Sequence, residues 1–496
     1  MQRVVAFFVL VGAVALVAWQ SGLTPQQVLS VTVFSGFIVG TLLYWPFRLA
    51  FAFAGVAILL AAGLVDIEHL IEFASLDVIL FLVGMMTVIG FLEERHFFEA
   101  VVEKALPYVG GSARLLMVAI MLMAFVSAAL VDEVTSILFM TAIVLRIAHR
   151  FRLNPVPYVI MTVFATNIGS SATVVGNPIG VLIALRAGLT FPDFLRWATP
   201  IALAAWALTL GLSFLYYRSP LNELDRGVRL AGLGEAAAAA DPPGGAAAAA
   251  RTANPHPSGS AGNPGPAGSH AAASHHGVAG KPGLTAAALL FVGTVAGLIL
   301  HKQIEHWLHL ETNTMLVGVA LAGGSVALFI ERRRARELIE RRVDWWTLAF
   351  FMLLFASAGT LRYVGVTDRV AGGLVGLTGG ALTPLLVLTT WSIGALTAVM
   401  DNVLAVASFI PIVGDLAREG VAVAPLWWGM LFGGTILGNL TLIGSTANIV
   451  ALGILERQEK RHVGFMEWFW PGLVTAVPSL ALATFLLWLQ LPLLVP

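Results

Sequence analysis

Long apolar stretches separated by a few polar residues dominate the chain. They fall near residues 4–19, 29–46, 48–65, 78–92, 114–147, 156–185 and 198–217, and again near 284–300, 315–330, 346–361, 383–413, 426–455 and 471–492. A helix crossing a membrane needs about 20 mostly apolar residues, so the pattern predicts repeated transmembrane helices. Several runs are too long for one crossing or carry Gly and Pro in their middle, which predicts hairpins and broken helices. The first run, behind Arg3, is expected to be a retained helix and not a signal peptide, because its small-residue cleavage signal is poor and more spans follow.

Composition excludes the soluble alternative. Of 496 residues only 11% are charged, against roughly 25% in soluble domains, and 58% are hydrophobic. The 28 acids and 28 bases sum to zero net charge, so no basic field attracts nucleic acid. Cysteine is absent, which excludes disulfides, thiolate metal sites and cysteine nucleophiles. The expected surroundings are membrane lipids, and the expected location is the inner (plasma) membrane with multiple passes.

Orientation follows from the short loops, where Lys and Arg mark the cytoplasmic side. The stretch 331–342 carries six arginines, and 146–152 holds Arg146, Arg150 and Arg152, so both are expected to be cytoplasmic. The stretch 66–77 has Asp66, Glu68, Glu72 and Asp77 with no Lys or Arg, as an outside loop allows. Residues 219–283 differ in kind, with Ala236–Ala240, Ala246–Ala250 and many Gly, Pro and Ser. Such a stretch buries too little apolar surface to offset its ordering entropy, and is expected to be a flexible cytoplasmic linker. Its His270, His275 and His276 read as solvated side chains and not metal ligands. The expected organisation is an extra helix in 1–25, a first membrane repeat in 26–218, the linker, and a second repeat in 284–496.

The two sides of the linker resemble each other. Leu76-Asp77-Val78 matches Val343-Asp344-Trp345, and Val131-Asp132-Glu133-Val134 matches Met400-Asp401-Asn402-Val403. Thr173-Val174-Val175-Gly176 matches Thr441-Leu442-Ile443-Gly444, and Phe194–Pro200 matches Phe465–Pro471. These anchors keep their order, with offsets of 267 to 271. The acidic loop before the first anchor has the arginine-rich loop as its equivalent, so the two repeats lie inverted. That is the architecture of many secondary transporters, with the substrate near the midplane where broken helices meet. A channel or a structural protein built by duplication is the alternative.

Charges within apolar runs are costly and usually functional. Asp132 and Glu133 sit in Ala128–Ser136, and their counterparts Asp401 and Asn402 follow Leu396–Met400. Carboxylate, amide and hydroxyl oxygens, Thr135 included, suit Na⁺, here at Asp132, Asp401 and Asn402, and a carboxylate can also carry a proton. The alternative is a packing role, with a carboxylate paired to a neighbouring arginine. A second pair of motifs is rich in small and polar residues. One runs from Thr166 to Pro178 through Asn167, Ser171, Thr173 and Asn177; the other runs from Gly438 to Asn448 through Asn439, Thr441 and Ser445. Glycine and proline weaken the helix there, and opened backbone at membrane depth lines protein or a watery cavity. Close helix packing through small residues is the competing explanation.

These residues resemble the arsenite-permease and NhaD-type sodium/proton antiporter group of the ion transporter superfamily, which pairs Asp-Asn hairpin tips with Gly-Thr-Leu-Ile-Gly-type segments. Asp401-Asn402-Val403 and Gly438–Asn448 are similar to that pattern, and Asp132–Thr135 and Ala172–Pro178 to its first-half version. The resemblance spans nearly the whole chain outside the linker and residues 1–25. Glu133 stands where the group has Asn, Gly180 where it has another Asn, and Thr141-Ala142 where the second half has Ile410-Pro411. The Ser-Asn-Thr tips of dicarboxylate carriers are absent, which argues against a di- or tricarboxylate substrate.

The resemblance implies an all-α polytopic membrane protein of two inverted-topology repeats with re-entrant hairpins and broken helices. It also implies alternating access by a hairpin-bearing region moving against a scaffold, in a homodimer. The expected activity is secondary transport of arsenite, antimonite or a related small inorganic ion, coupled to protons or Na⁺, with Na⁺/H⁺ antiport as the alternative and an ion channel behind both. No His-Glu-x-x-His, Gly-x-Ser-x-Gly or P-loop occurs. The chain is therefore expected not to be an enzyme and to need no cofactor beyond the coupling ion; a separate ATPase subunit stays open as a partner.

Overall fold

The computed structural model describes residues 2–105, 112–240 and 281–495, and every regular element among them is helical. The first part contains α1 (Gln2–Gln20), α2 (Pro25–Leu43), α3 (Arg48–Ala61), α4 (Ile67–Phe73), α5 (Leu76–Glu93) and α6 (Phe97–Ala105). It continues through α7 (Ala113–Leu130), α8 (Glu133–Arg150), α9 (Val156–Gly169), α10 (Pro178–Ala187), α11 (Phe191–Asp193), α12 (Thr199–Tyr216) and α13 (Arg218–Ala240). The second part contains α14 (Lys281–Leu308), α15 (Thr314–Glu331), α16 (Ala335–Arg342), α17 (Trp345–Tyr363) and α18 (Val366–Thr378). It ends with α19 (Leu382–Thr397), α20 (Asn402–Arg418), α21 (Ala424–Ile436), α22 (Thr446–Glu459) and α23 (Phe465–Leu494). Nine helices among the described residues are long and apolar enough to cross a membrane.

The order α5 to α12 recurs as α17 to α23. Each half has a hairpin (α7–α8, α19–α20) followed by a broken helix (α9–α10, α21–α22) and a closing helix. The halves interlock: α8 packs on α22 and α20 on α10, while the closing helices α12 and α23 pack along each other. Thr209 and Ser479, 270 residues apart, share a hydrogen bond of 2.8 Å between their hydroxyls. A residue bonded to its own repeat equivalent lies on the local two-fold axis, so this pair marks where that axis passes.

The inversion is visible along α5. The acidic stretch leads through α4 into the N-terminus of α5. Arg342, closing the arginine-rich α16, reaches Glu93 (3.1 Å) and Glu94 (3.5 Å) at the other end. With 18 residues, α5 separates the two by about 27 Å. The repeat-equivalent segments thus occupy opposite ends of the bundle, here termed the acidic face and the arginine-rich face.

The segment expected to be a linker from residue 219 begins instead as helix α13. Leu221 and Leu224 are buried, Val228 packs beside them, and the Tyr158 hydroxyl donates to the Pro220 carbonyl at 2.6 Å. The spacing i, i+3, i+7 puts these apolar side chains on one helical face, a signal that the Ala-rich residues after it had masked. The histidines 270, 275 and 276 lie outside the described residues.

Candidate functional site

Both hairpin tips are made by an aspartate. The turn after α7 ends at Asp132, whose Oδ1 accepts the backbone N–H groups of Val134 and Thr135, both at 2.8 Å. The turn after α19 ends at Asp401, whose Oδ1 accepts Val403 N–H at 3.1 Å. Each aspartate is therefore the N-cap of the returning helix, satisfying N–H groups that have no partner within it. This local requirement is one reason the residue recurs in both halves. The Oδ2 of Asp401 accepts the Thr446 hydroxyl at 2.7 Å.

Between the two caps lies Glu133, 2% exposed. Its Oε1 accepts the Asn402 amide at 3.0 Å and the Ser445 hydroxyl at 3.3 Å, and its Oε2 accepts the Ser170 hydroxyl at 3.1 Å. Asn402 is the repeat equivalent of Glu133, so the two tips meet across the local axis through a position where they differ chemically.

The broken helices close around this contact. Asn167 donates to Asn439 Oδ1 (2.7 Å) and Asn448 Oδ1 (2.8 Å), and accepts the Ser445 hydroxyl (3.2 Å). Glu133, Ser445, Asn167, Asn439 and Asn448 thus form one buried chain of hydrogen bonds drawing on both halves. Other predicted residues hold the backbone in shape. Thr173 donates to the Ala129 carbonyl, and its equivalent Thr441 donates to Ala398 at 2.5 Å. Asn177 accepts Gly180 N–H at 2.7 Å, capping α10, and Ser445 caps α22 by accepting Ala447 N–H at 3.2 Å. The Asn448 amide donates to the Gly438 and Thr441 carbonyls, both at 2.8 Å. Ser171 donates to the carbonyl of Ile168 at 2.7 Å, a contact within its own turn. A Cβ at Gly176 or Gly444 would collide with the carbonyl oxygen of Ser170 or Gly438, which fixes glycine at both equivalent positions.

Four helix N-termini converge here, those of α8, α10, α20 and α22, and residues from all four line a cavity of about 340 Å³. Unpaired N–H groups and aligned peptide dipoles make such ends favourable to negative charge. Asp132, Glu133 and Asp401 supply some of that charge from the protein itself. The cavity opens at the arginine-rich face, where Arg341, Arg342 and Asp344 line it, and reaches Asp132, Glu133, Thr135, Asn177, Asn402 and Thr446. A second cavity of about 260 Å³ has Glu72, Ser75, Arg186 and Arg362 in its wall and includes no tip residue. Its nearest approach along α20 is Ala407, five residues and about 7.5 Å of helix rise beyond Asn402. Among the described residues, the cavity that reaches the tips is lined at the arginine-rich face, and the cavity on the acidic face stops short of them.

Among the described residues no group of three or more His, Asp or Glu is arranged to hold a metal ion. Several residues that contact the site escaped the sequence reading. Ser170 and Thr446 sit inside the recognised motifs beside chosen neighbours, so only their contacts distinguish them. Arg48, the first residue of α3, donates to the Thr347 hydroxyl at 2.8 Å, lies over the Trp45 ring at 4.4 Å and attracts Asp401 and Asp344. A lone arginine between two apolar runs gives no sequence signal for that position.

A family model described as "Citrate transporter" (CitMHS) matches residues 38–433. The uncharacterized transporter Rv2684 of Mycobacterium tuberculosis is 30% identical over 418 residues, covering 84% of this chain and 86% of that one. The 46 kDa membrane protein of Mycobacterium leprae is 30% identical over 422 residues, with 84% and 86% covered. The human P protein is 25% identical over 457 residues, 84% of this chain and 53% of the longer P protein. The crystal structure of the Alcanivorax borkumensis YdaH transporter, described as having an unusual topology, superposes with a TM-score of 0.55 at 17% identity over 89% of each chain. That likeness establishes the shared fold. The matching family carries the description of a citrate transporter, not of an arsenite permease or NhaD-type antiporter, so lacking Ser-Asn-Thr tips does not set the chain apart from a family so described. The chain belongs to the citrate transporter (CitMHS) family, and it is a secondary transporter.

Proposed function

We propose that the protein couples movement of a small oxyacid or its anion to protons or Na⁺ by alternating access. Glu133 is the coupling carboxylate in this reading, and Asp132 and Asp401 are its helix-capping neighbours. The observation that carries it is the Glu133–Asn402 contact, a buried acid on the local two-fold axis, reached by a cavity lined at the arginine-rich face. A carboxylate held by an amide and two hydroxyls can take up and release a proton while its neighbours re-orient. Four helix N-termini beside it favour an anionic group. By the positive-inside tendency, the arginine-rich face is cytoplasmic and the conformation is inward-open, in the plasma membrane.

Citrate is the first substrate to test because of the family's description, and arsenite the second because of the tip motifs. Three acids in one site disfavour a bare trianion, so a polycarboxylate would enter partly protonated or cation-bound. The second reading is Na⁺/H⁺ antiport, favoured by those same three carboxylates. The test is a flux panel in proteoliposomes with citrate, arsenite, Na⁺ and Li⁺ under an imposed pH gradient. Saturable, gradient-driven flux of one oxyacid supports the main reading. Na⁺ or Li⁺ flux alone supports antiport, and non-saturating flux without coupling overturns both in favour of a channel.

A further inference from the structure

The repeat symmetry that brings Glu133 to Asn402 fails at one place. On the acidic face Arg186, in the last turn of α10, donates to the Ser75 hydroxyl at 2.6 Å and to Asp77 at 3.2 Å, just where α5 begins. Asn313, in the turn between α14 and α15, adds a buried bond of 3.0 Å to the Ala184 carbonyl. The helix α10 starts at the site, with Asn177 as its cap, so these bonds tie one arm of the broken helix to α5 and α15.

On the arginine-rich face the equivalent of Asp77 is Asp344, and the equivalent of α10 is α22. There α10 has no counterpart in its packing: α10 lies on α5, whereas α22 and α17 are parted at the cavity, with Asp344 at its mouth and Thr446 in its floor. Asp344 instead caps its own helix, accepting Thr347 N–H at 3.1 Å and the Thr347 hydroxyl at 2.5 Å. Arg457, in the last turn of α22, is exposed and donates back to its own Gly453 carbonyl at 3.0 Å.

We propose that Ser75, Asp77 and Arg186 form the gate of the acidic face, closed in this conformation. Asp344 and Arg457 are its counterpart on the arginine-rich face, open here and paired when the site faces the other way. The proposal rests on the alternating-access reading. The Arg186 and Asp77 side chains are 35% and 39% exposed, so the pair is cheap to break and remake, as a gate in a cycling protein must be. The short helix rise between Ala407 and Asn402 is what opening this gate must uncover.

The natural absence of cysteine makes the test direct. A single thiol from Ala407→Cys, in the floor of the closed cavity, is labelled with a hydrophilic maleimide in detergent. Arg186→Ala should raise the labelling rate roughly two- to fivefold, as expected for losing a half-exposed ion pair. Asp344→Asn, which keeps the helix cap, should lower it by a similar factor. No change with Arg186→Ala, or a change in the same direction for both variants, overturns the gate. This readout needs no substrate, so it stands apart from the flux panel. In a second arm, Ser75→Cys with Arg186→Cys is bridged by a short bifunctional thiol reagent, since an arginine reaches further than a disulfide. Bridging should cut flux at least about tenfold and reduction should restore it. Full flux after bridging overturns the gate while leaving the transport reading intact.

Discussion

The two hairpin tips share an aspartate cap and differ at the residue that follows it. Asp132 and Asp401 do the same job, each capping the helix that returns from the tip. The next position is Glu133 in one and Asn402 in the other, and these two residues bond to each other. The shared residue is thus explained in part by helix capping, while the residue that differs sits on the axis at the floor of the cavity. Two carboxylates facing each other there would repel, and two amides would carry no titratable proton. One of each gives a contact that the acid's protonation state can tune. In a duplicated protein, the position where the copies diverge can be more informative than the one where they agree.

The comparison can be strained in several ways. The largest effect is expected from Asp132→Asn and Asp401→Asn. Asparagine caps helices about as well as aspartate, so both variants should fold, and unchanged thermal unfolding in detergent would establish that. Coupled flux should fall about tenfold or more in each, because a negative charge beside the coupling acid Glu133 is lost and one pKa unit of change there is a factor of ten; wild-type flux in either would reduce that aspartate to a cap.

Next come the paired glycines. Gly176→Ala and Gly444→Ala each press a methyl group onto a carbonyl oxygen. Each should cost about 1–3 kcal/mol of stability, as overpacking does, read as a lowered unfolding midpoint. A large effect at one site and none at the other would break the equivalence of the two turns. Smaller still is Thr446→Val, which removes the hydroxyl donated to Asp401. About 0.5–1.5 kcal/mol is expected from one hydrogen bond, and Asp132, with no corresponding donor from α10, should be indifferent to Pro178 changes that preserve the turn.

The smallest effect is at the surface. The His69 ring hydrogen-bonds Asp66, the cap of α4, and raises its own pKa by doing so, while the His69 backbone N–H and then its ring lower that of Asp66. The histidine's contribution is full below its unfolded pKa of about 6.5 and fades as pH rises through the raised folded value. The aspartate's contribution is present above about pH 3.9 and is lost as pH falls through its lowered folded value. The protection of α4 amides, with the intrinsic pH dependence of exchange divided out, should therefore fall between pH 6 and pH 8. The protection of the counterpart α16, held by Arg336–Glu340 and Arg341–Glu337 pairs, should stay constant over that range.

Most of the fold was legible because apolar run length and loop charge are local signals. The hairpins, the broken helices and the inverted repeat all follow from them. The start of α13 was not, because Leu221, Leu224 and Val228 make only one short apolar face before an alanine tract. Within the site, residue types foretold the participants better than their tasks. Asp132 and Asp401 were expected as ion ligands, and their first task is capping. Glu133 was set apart for lacking an acidic counterpart, and that asymmetry is what places it opposite Asn402. Ser170, Thr446 and Arg48 acquire their roles only from chains folding against one another, across sequence separations that no motif spans.

The central claim is that Glu133 couples the transported substrate to an ion gradient. The direct measurement compares wild type with Glu133→Gln in proteoliposomes, reading substrate counterflow and gradient-driven accumulation side by side. Glutamine keeps the hydrogen-bonding shape without the titratable charge, so counterflow should persist while accumulation collapses to the equilibrium level. Full accumulation by Glu133→Gln, with counterflow unchanged, would contradict the account.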